Sequence, residues 1–411
     1  MALNTPSFAN EAEQSINCAS NNDVFGLFRD LHLLMYKGPS PLSRDGSDRA
    51  SHFTKRGAYM RKTLLPLLAG LVLVAATADA QEVMRVHYID VGQADATLLE
   101  FPCGAILIDA GAQDDDHVTA LTNYLTGFFQ GRTDLNDTLE SIIITHNHID
   151  HTRGLKEVVQ AFTVNRYIDH GMLTGSGTGD PNWVRDNATN GGRNITIRVI
   201  NDSDITALSH KNGLTDADID PISCANIDPS IAVLSGRLAT DPGWPSGEFG
   251  NKNNHSIVVR IDFGQASFLF TGDLEEPAIE TMVDYYAGTN TLDVDVYQVG
   301  HHGSHNGTTD SLISAMSPTI AVFSVGDSDF GRNPPVIFST FRFGHPRRVV
   351  VKALKDEIKR KRSGTIRPLD ADASRTFRRI KIRDAIYATA WDGTVEIRAT
   401  ENGEYRVTRN N

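Results

Sequence analysis

Ser141-Ile142-Ile143-Ile144-Thr145-His146-Asn147-His148-Ile149-Asp150-His151 is the stretch that decides how the chain is read. Residues 141–145 form a short apolar, β-branched run of the kind that makes a buried strand. The run ends directly in four potential metal ligands: His146, His148, Asp150 and His151. Imidazole nitrogen and carboxylate oxygen suit zinc, manganese or iron. Alternate residues of an extended segment face the same way. His146 and His148 can therefore share one ion, while Asp150 and His151 turn towards a second. Packing four polar groups at a strand end for structure alone is costly, which makes a purely structural role the poorer reading.

Two other places repeat the arrangement. Phe268-Leu269-Phe270-Thr271-Gly272-Asp273 is an apolar run that ends in a carboxylate. Gly300-His301-His302-Gly303-Ser304-His305 follows an expected strand at Val294–Val299. Each alone is ordinary loop chemistry. Together, three strands delivering ligands at their C-terminal ends predict convergence on one sheet edge, where α/β sites form.

Outward from these points, strands are expected at Met84–Asp90, Ala96–Phe101, Ala105–Asp109, Ser256–Phe263, Gln265–Thr271 and Thr319–Val325. Apolar spacing predicts helices over Asp116–Gln130, Leu155–Phe162, Pro277–Tyr286, Ser311–Ala315 and Arg347–Lys361. Ala385–Ala390 and Thr394–Ala399 read as a closing hairpin around Asp392-Gly393. A Gly-, Asn-, Asp- and Ser-rich region, about 171–254, reads as a loop-rich insertion carrying weak apolar runs at Ile195–Ile200 and Ile231–Leu238. Strands and helices alternating twice imply an α/β architecture with two sheets and helices outside.

Bulk composition bounds the rest. The 411 residues are 40% hydrophobic and 22% charged, which excludes a disordered or fibrous chain. Net charge is −12, but residues 347–383 hold 14 Lys and Arg against 4 Asp and Glu; that segment carries +10 and the remainder −22. Such a segment suits a polyanion, and a solvated basic surface is the plainer reading. Leu64–Ala76 is apolar, follows Arg61-Lys62 and leads to Ala78-Asp79-Ala80, the pattern of a signal peptide over 60–80. Residues 1–59 then read as a non-native or disordered leader, with Met60 as the true start. A periplasmic or secreted protein cleaved near Ala80 is expected, with a membrane-anchored form as the alternative and no stable membrane partner. Cys103 and Cys224 would remain after cleavage and could pair in an oxidising compartment.

The ligand pattern is similar to the H-x-H-x-D-H signature of the metallo-β-lactamase superfamily. Within it, the chain resembles the ComEC-type branch, the hydrolase domain of bacterial DNA-uptake channels. The matching segments are Tyr88-Ile89-Asp90-Val91-Gly92-Gln93-Ala94-Asp95-Ala96, Leu107-Ile108-Asp109-Ala110-Gly111, Asn254–Val259 running on to Thr271-Gly272-Asp273, and His301-His302-Gly303-Ser304. Gly344-His345-Pro346 and the 388–395 segment fit its C-terminal part. The branch often carries Asp where this chain has His148. No multi-span channel is legible in these residues either, so the resemblance implies hydrolysis rather than uptake.

The resemblance implies a four-layer αββα sandwich over 84–400 and two divalent ions, zinc foremost, with manganese or iron as alternatives. His146 and His148 would hold the first ion with a third histidine, His170 being preferred and His255 the runner-up. Asp150 and His151 would hold the second, Asp273 would bridge both, and either His301 or His302 would complete the second. Asp150 or His151 would move protons while a water shared by the ions attacks the substrate. Asp90, Asp95 and Asp109 are expected to orient ligands, with turn capping as the alternative. His305 and His345 are candidates for touching substrate. A phosphodiester, as in a nuclease, is the favoured substrate. A lactone, lactam or other ester on the same ions is the alternative, and a non-catalytic binding protein that kept the fold is the third. The partner is then a small-molecule or nucleic-acid substrate, with 347–383 available to a polyanion.

Overall fold

Strict alternation along the first strands fixes the layering. In the computed structural model, which describes residues 82–201, 204, 211–333, 336 and 338–410, Met84, Val86 and Tyr88 of strand Val83–Tyr88 all enter one apolar cluster. On Gly104–Ile108, Ile106 and Ile108 join that cluster, while Ala105 and Leu107 join a second on the opposite face. Ile143 and its neighbours Ile142 and Ile144 divide the same way. Side chains of a strand alternate faces, so a sheet apolar on both sides must be covered on both. The leader at 1–59 and the signal peptide at 60–80 lie outside the described residues.

The first sheet has eight strands, in spatial order Tyr405–Arg409, Val395–Thr400, Val83–Tyr88, Thr97–Phe101, Gly104–Ile108, Ser141–Ile143, Arg166–Asp169 and Thr196–Val199. The second has six: Ile386–Ala388, Ile320–Phe323, Val296–Gln298, Ala266–Phe270, Val258–Phe263 and Ser230–Ser235. One cluster joins the two sheets, with Tyr88, Phe101, Phe263, Phe268, Phe270 and Phe323 among its fully buried members. Helices Asp115–Gly131, Leu155–Ala161 and Gly179–Asn187 cover the first sheet through Leu121, Leu125, Val158 and Val184. Helices Glu276–Tyr286, Asp310–Met316 and Arg348–Glu357 pack on the second through Ile279, Met282, Leu312 and Leu354. The result is the four-layer αββα sandwich.

Three expectations change. The closing hairpin does not form. Ile386–Ala388 runs parallel to Ile320–Phe323 in the second sheet, whereas Val395–Thr400 pairs antiparallel with Val83–Tyr88 in the first. The Thr389–Asp392 turn of helix and Gly393 carry the chain from one sheet to the other. The 171–254 region is also more than loop: it supplies a helix, Gly179–Asn187, and the edge strand of each sheet, Thr196–Val199 and Ser230–Ser235. A disulfide, Cys103–Cys224, ties the turn after Thr97–Phe101 to this region across 121 positions. The helix expected over Arg347–Lys361 stops at Glu357, and the basic segment beyond it folds as short strands. No helix among the described residues is long and apolar enough to cross a membrane.

Candidate metal centre

Parallel pairing puts the first ligands at one edge. Ile108 lies opposite Ile143, so Asp109 and Thr145 leave the sheet side by side. The buried Asp109 carboxylate accepts the Thr145 N–H at 2.7 Å and its hydroxyl at 2.8 Å. It also takes the Nδ1 proton of His151 at 2.7 Å. That bond fixes the tautomer and leaves the Nε2 lone pair of His151 facing inward. Nε2 is buried without a hydrogen-bond partner, 3.2 Å from Asp273 Oδ1 but poorly aligned with it.

His302 is set the same way from the other sheet. Its Nδ1–H donates to the Ser324 carbonyl at 2.8 Å, and its buried Nε2 has no hydrogen-bond partner. That nitrogen stands 3.4 Å from Asp150 Oδ2 and 3.8 Å from Asp273 Oδ1. One donor atom each from Asp150, His151, Asp273 and His302 comes within 4.8 Å of the others, and so does one each from His146, His148 and Asp273. His146 Nε2 is 3.8 Å from Asp273 Oδ2 and 3.1 Å from His148 Nδ1. Asp273 thus turns one oxygen to each group, the disposition of a bridging ligand. The orphaned nitrogens of His151 and His302 fit one divalent ion, and the adjacent His146 and His148 nitrogens facing Asp273 Oδ2 fit a second.

Of the consecutive residues 301 and 302, only His302 belongs to a set of converging donors. Both have left-handed backbone, φ 50° and 51°. His302 joins the second group, while His301 Nε2 approaches Asp273 Oδ2, the oxygen facing the first group, at 3.6 Å. His301 Nδ1 lies 3.4 Å from Glu275 Oε1. Glu275 is in turn gripped by the Asn251 and Asn253 amides at 2.9 and 2.7 Å.

Charge follows this geometry. Burial pushes His146 and His148 down, with His151 adding to it at His146, so both imidazoles are neutral and ready to ligate. Burial also opposes charge on His302, but Asp273 and Asp150 outweigh it and raise the group to about 9. His151 is likewise raised, Asp273 and Asp109 overcoming burial. Burial alone would raise Asp150 and Asp273; the neighbouring histidines instead hold Asp150 at about 2 and Asp273 well below the usual carboxylate range. The carboxylates around His151 and His302 favour positive charge there, which a bound cation can supply in place of protons.

His170 and His255 fall outside the two sets of converging donors, although His170 lies near enough to act on His146 and its buried Nε2 has no hydrogen-bond partner. His170 follows strand Arg166–Asp169 and is buried, but its Nδ1 accepts the Met172 N–H at 3.0 Å. It falls in neither set of converging donors. His255 uses both nitrogens on backbone, accepting from Leu238 N–H and donating to the Phe249 carbonyl at 2.8 Å. Asp95 is buried and receives the Gln298 amide at 2.6–2.7 Å; burial and Asp109 raise it to about 6. Asp90, by contrast, is exposed and accepts the Gly92 N–H at 3.3 Å, a turn cap with no ligand to orient. His305 is exposed and lies outside the converging donor sets. His345 is buried against both candidate histidines, its ring 5.8 Å from that of His301 and 6.3 Å from that of His302. Glu275, Gln93 and Gln298 escaped the sequence reading. The available signal was a polar residue inside or just beyond an apolar strand.

Two layered sheets with six histidines and aspartates converging at one edge define a metal-binding hydrolase scaffold. A family model of the metallo-beta-lactamase superfamily matches residues 89–327, and the chain belongs to that superfamily of metal-dependent hydrolases. Among curated relatives it is 23% identical over 283 residues to ComE operon protein 3 of Bacillus subtilis, covering 66% of this chain and 30% of that protein. It is 36% identical over 257 residues to the uncharacterized protein YcaI of Escherichia coli, covering 61% and 26% respectively. The chain therefore spans under a third of the length of these relatives. Among solved structures, the metallo-beta-lactamase fold protein YhfI of Bacillus subtilis aligns over 68% of this chain and 94% of its own at 11% identity, with a TM-score of 0.38.

Proposed function

We propose that the protein is an exported, two-metal phosphodiesterase of nuclease-like specificity. The observation that carries this is Asp273, whose two oxygens face separate donor groups, His146 and His148 on one side and Asp150, His151 and His302 on the other. Two divalent ions bound there, zinc foremost, would supply an ionised water and neutralise charge growing on the reacting phosphate. The chain's own part is to hold the ligands. Asp109 and the Ser324 carbonyl fix the ring orientation of His151 and His302. His301, backed by Glu275, stands beside the first group, placed to hold a proton for a leaving group. Export is supported by the Cys103–Cys224 disulfide, a bond that persists in oxidising compartments.

The test joins metal analysis with a substrate panel on protein starting at Gln81. Two bound ions per chain and hydrolysis of bis(p-nitrophenyl) phosphate or DNA, both lost in His146→Ala/Asp150→Ala, are expected. Hydrolysis of lactones or lactams but no phosphodiester, under zinc, manganese and iron alike, overturns the substrate assignment.

A further inference from the structure

A cavity of about 320 Å³ opens next to the ligand cluster, with His345 as the common wall. Trp391, Ile366 and Leu369 also line it, together with Asp327 and Ser328. We propose that this cavity receives the nucleobase attached to the scissile phosphodiester. The inference rests on the phosphodiesterase reading above and adds what lies beyond the phosphate.

Position comes first. The 326–328 segment follows strand Ile320–Phe323, the parallel neighbour of Val296–Gln298, whose continuation carries His301 and His302. Both leave the sheet at the same edge, so the cavity lies one side chain away from the metal ligands. That is the separation a nucleotide needs, with a sugar between its phosphate and its base.

Chemistry comes second. Trp391 is held against Phe323, ring centroids 5.9 Å apart, and also lines the cavity. An indole in an apolar wall is a stacking platform, and every base has a π-face to offer it. Ile366, Leu369 and Pro346 complete a lining suited to a flat ring. The exposed Asp327 carboxylate can accept from an exocyclic amino group, as carboxylates do from cytosine. Arg367 lies between the lining residues Ile366 and Pro368; it is exposed and makes no ion pair among the described residues. It can meet a neighbouring phosphate, which gives part of the basic 347–383 segment a use.

The shared wall is fixed. The Gln93 amide lies 3.5 Å from His345 Nδ1, and Gln93 Oε1 accepts the Thr340 hydroxyl at 2.9 Å. The cavity is built on hydrogen-bonded core rather than on loose surface.

The experiment compares two esters with the same leaving group on the metal-loaded enzyme: deoxycytidine 5′-(p-nitrophenyl phosphate) and methyl p-nitrophenyl phosphate. Trp391→Ala should raise KM for the nucleoside ester roughly 5- to 150-fold, the range of base–aromatic stacking, and leave both constants for the methyl ester unchanged. Asp327→Asn should weaken the cytidine ester relative to the thymidine ester. Deoxycytidine monophosphate should also quench tryptophan fluorescence of metal-free protein, and Trp391→Phe, which keeps the packing on Phe323, should abolish the quench. Equal effects of Trp391→Ala on both esters, or a quench that survives Trp391→Phe, overturns the proposal. Wild-type protein that cleaves neither ester sinks the phosphodiesterase reading itself; one that cleaves both with equal KM sinks only the base subsite.

Discussion

Gly111→Ala is the most demanding test of the metal centre. A Cβ built on Gly111 falls 1.7 Å from the Asp150 carbonyl oxygen and 2.7 Å from that of Asp95. Both are backbone atoms, so no side chain can swing aside. Reaching even 3.0 Å from the first requires a 1.3 Å displacement of Asp150 or of the 109–111 strand exit. The same carbonyl accepts the Asp95 N–H at 2.9 Å, and that bond would stretch with it. Overpacking of this kind costs about 1–3 kcal/mol, and a broken buried pair adds about 1–3 kcal/mol. Metal sites tolerate only about 0.2 Å in ligand distance, so a shift this large removes Asp150 from the second ion. The expected result, by elemental analysis, is one ion per chain in place of two, with hydrolysis lost and thermal unfolding several degrees earlier. Gly127→Ala serves as the control: nothing lies within 4 Å of its added Cβ, inside helix Asp115–Gly131, and it should be neutral or stabilising by about 0.5–1 kcal/mol. A Gly111→Ala protein with two ions and wild-type kcat would refute the reasoning.

Three more outcomes follow from the same geometry. Asp273→Ala should lower affinity for both ions, whereas His302→Ala should weaken the second alone; two-step titrations with zinc or manganese distinguish them. In metal-free protein His302 is raised to about 9 from an ordinary 6.5, so its contribution to stability is complete below pH 6.5 and lost as pH rises through about 9. Metal affinity should climb across that same interval, because the ion must displace the proton; chelator-stripped protein monitored by denaturant melts and competition titrations reads both. Reducing Cys103–Cys224, or changing both residues to Ala, should destabilise the fold by up to about 5 kcal/mol, the chain-entropy value for a loop of 121 positions. A reduced protein with an unchanged melting temperature contradicts this.

Local pattern made much of this legible. The apolar run ending in His146–His151 needs only adjacent residues to be read, and the alternation of Met84, Val86 and Tyr88 states its own face. What escaped depended on contacts far along the chain. Asp392-Gly393 looks like a hairpin turn, yet Val395 pairs with Tyr88, about 300 positions earlier, and Ile386 pairs with Ala321. His170 has the right spacing from its strand, but spacing could not show that its Nδ1 would accept the Met172 N–H or that it would fall outside the sets of converging donors. The choice between His301 and His302 turned on the Ser324 carbonyl, a backbone atom with no signature in sequence. Edge strands within 171–254 hid because short apolar runs among Gly and Asn read as loop.

Three of the non-glycine residues with positive φ sit in or beside the ligand cluster: Asp109 at 55°, His301 at 50° and His302 at 51°. Each costs about 1–2 kcal/mol against ordinary helical or extended backbone. Glycine would remove that cost at every one of them and abolish the chemistry. Heat-selected variants of this protein should therefore accumulate glycine at these sites only in lineages that have stopped catalysing, and thermal robustness gained there would be a sign of retired enzymes.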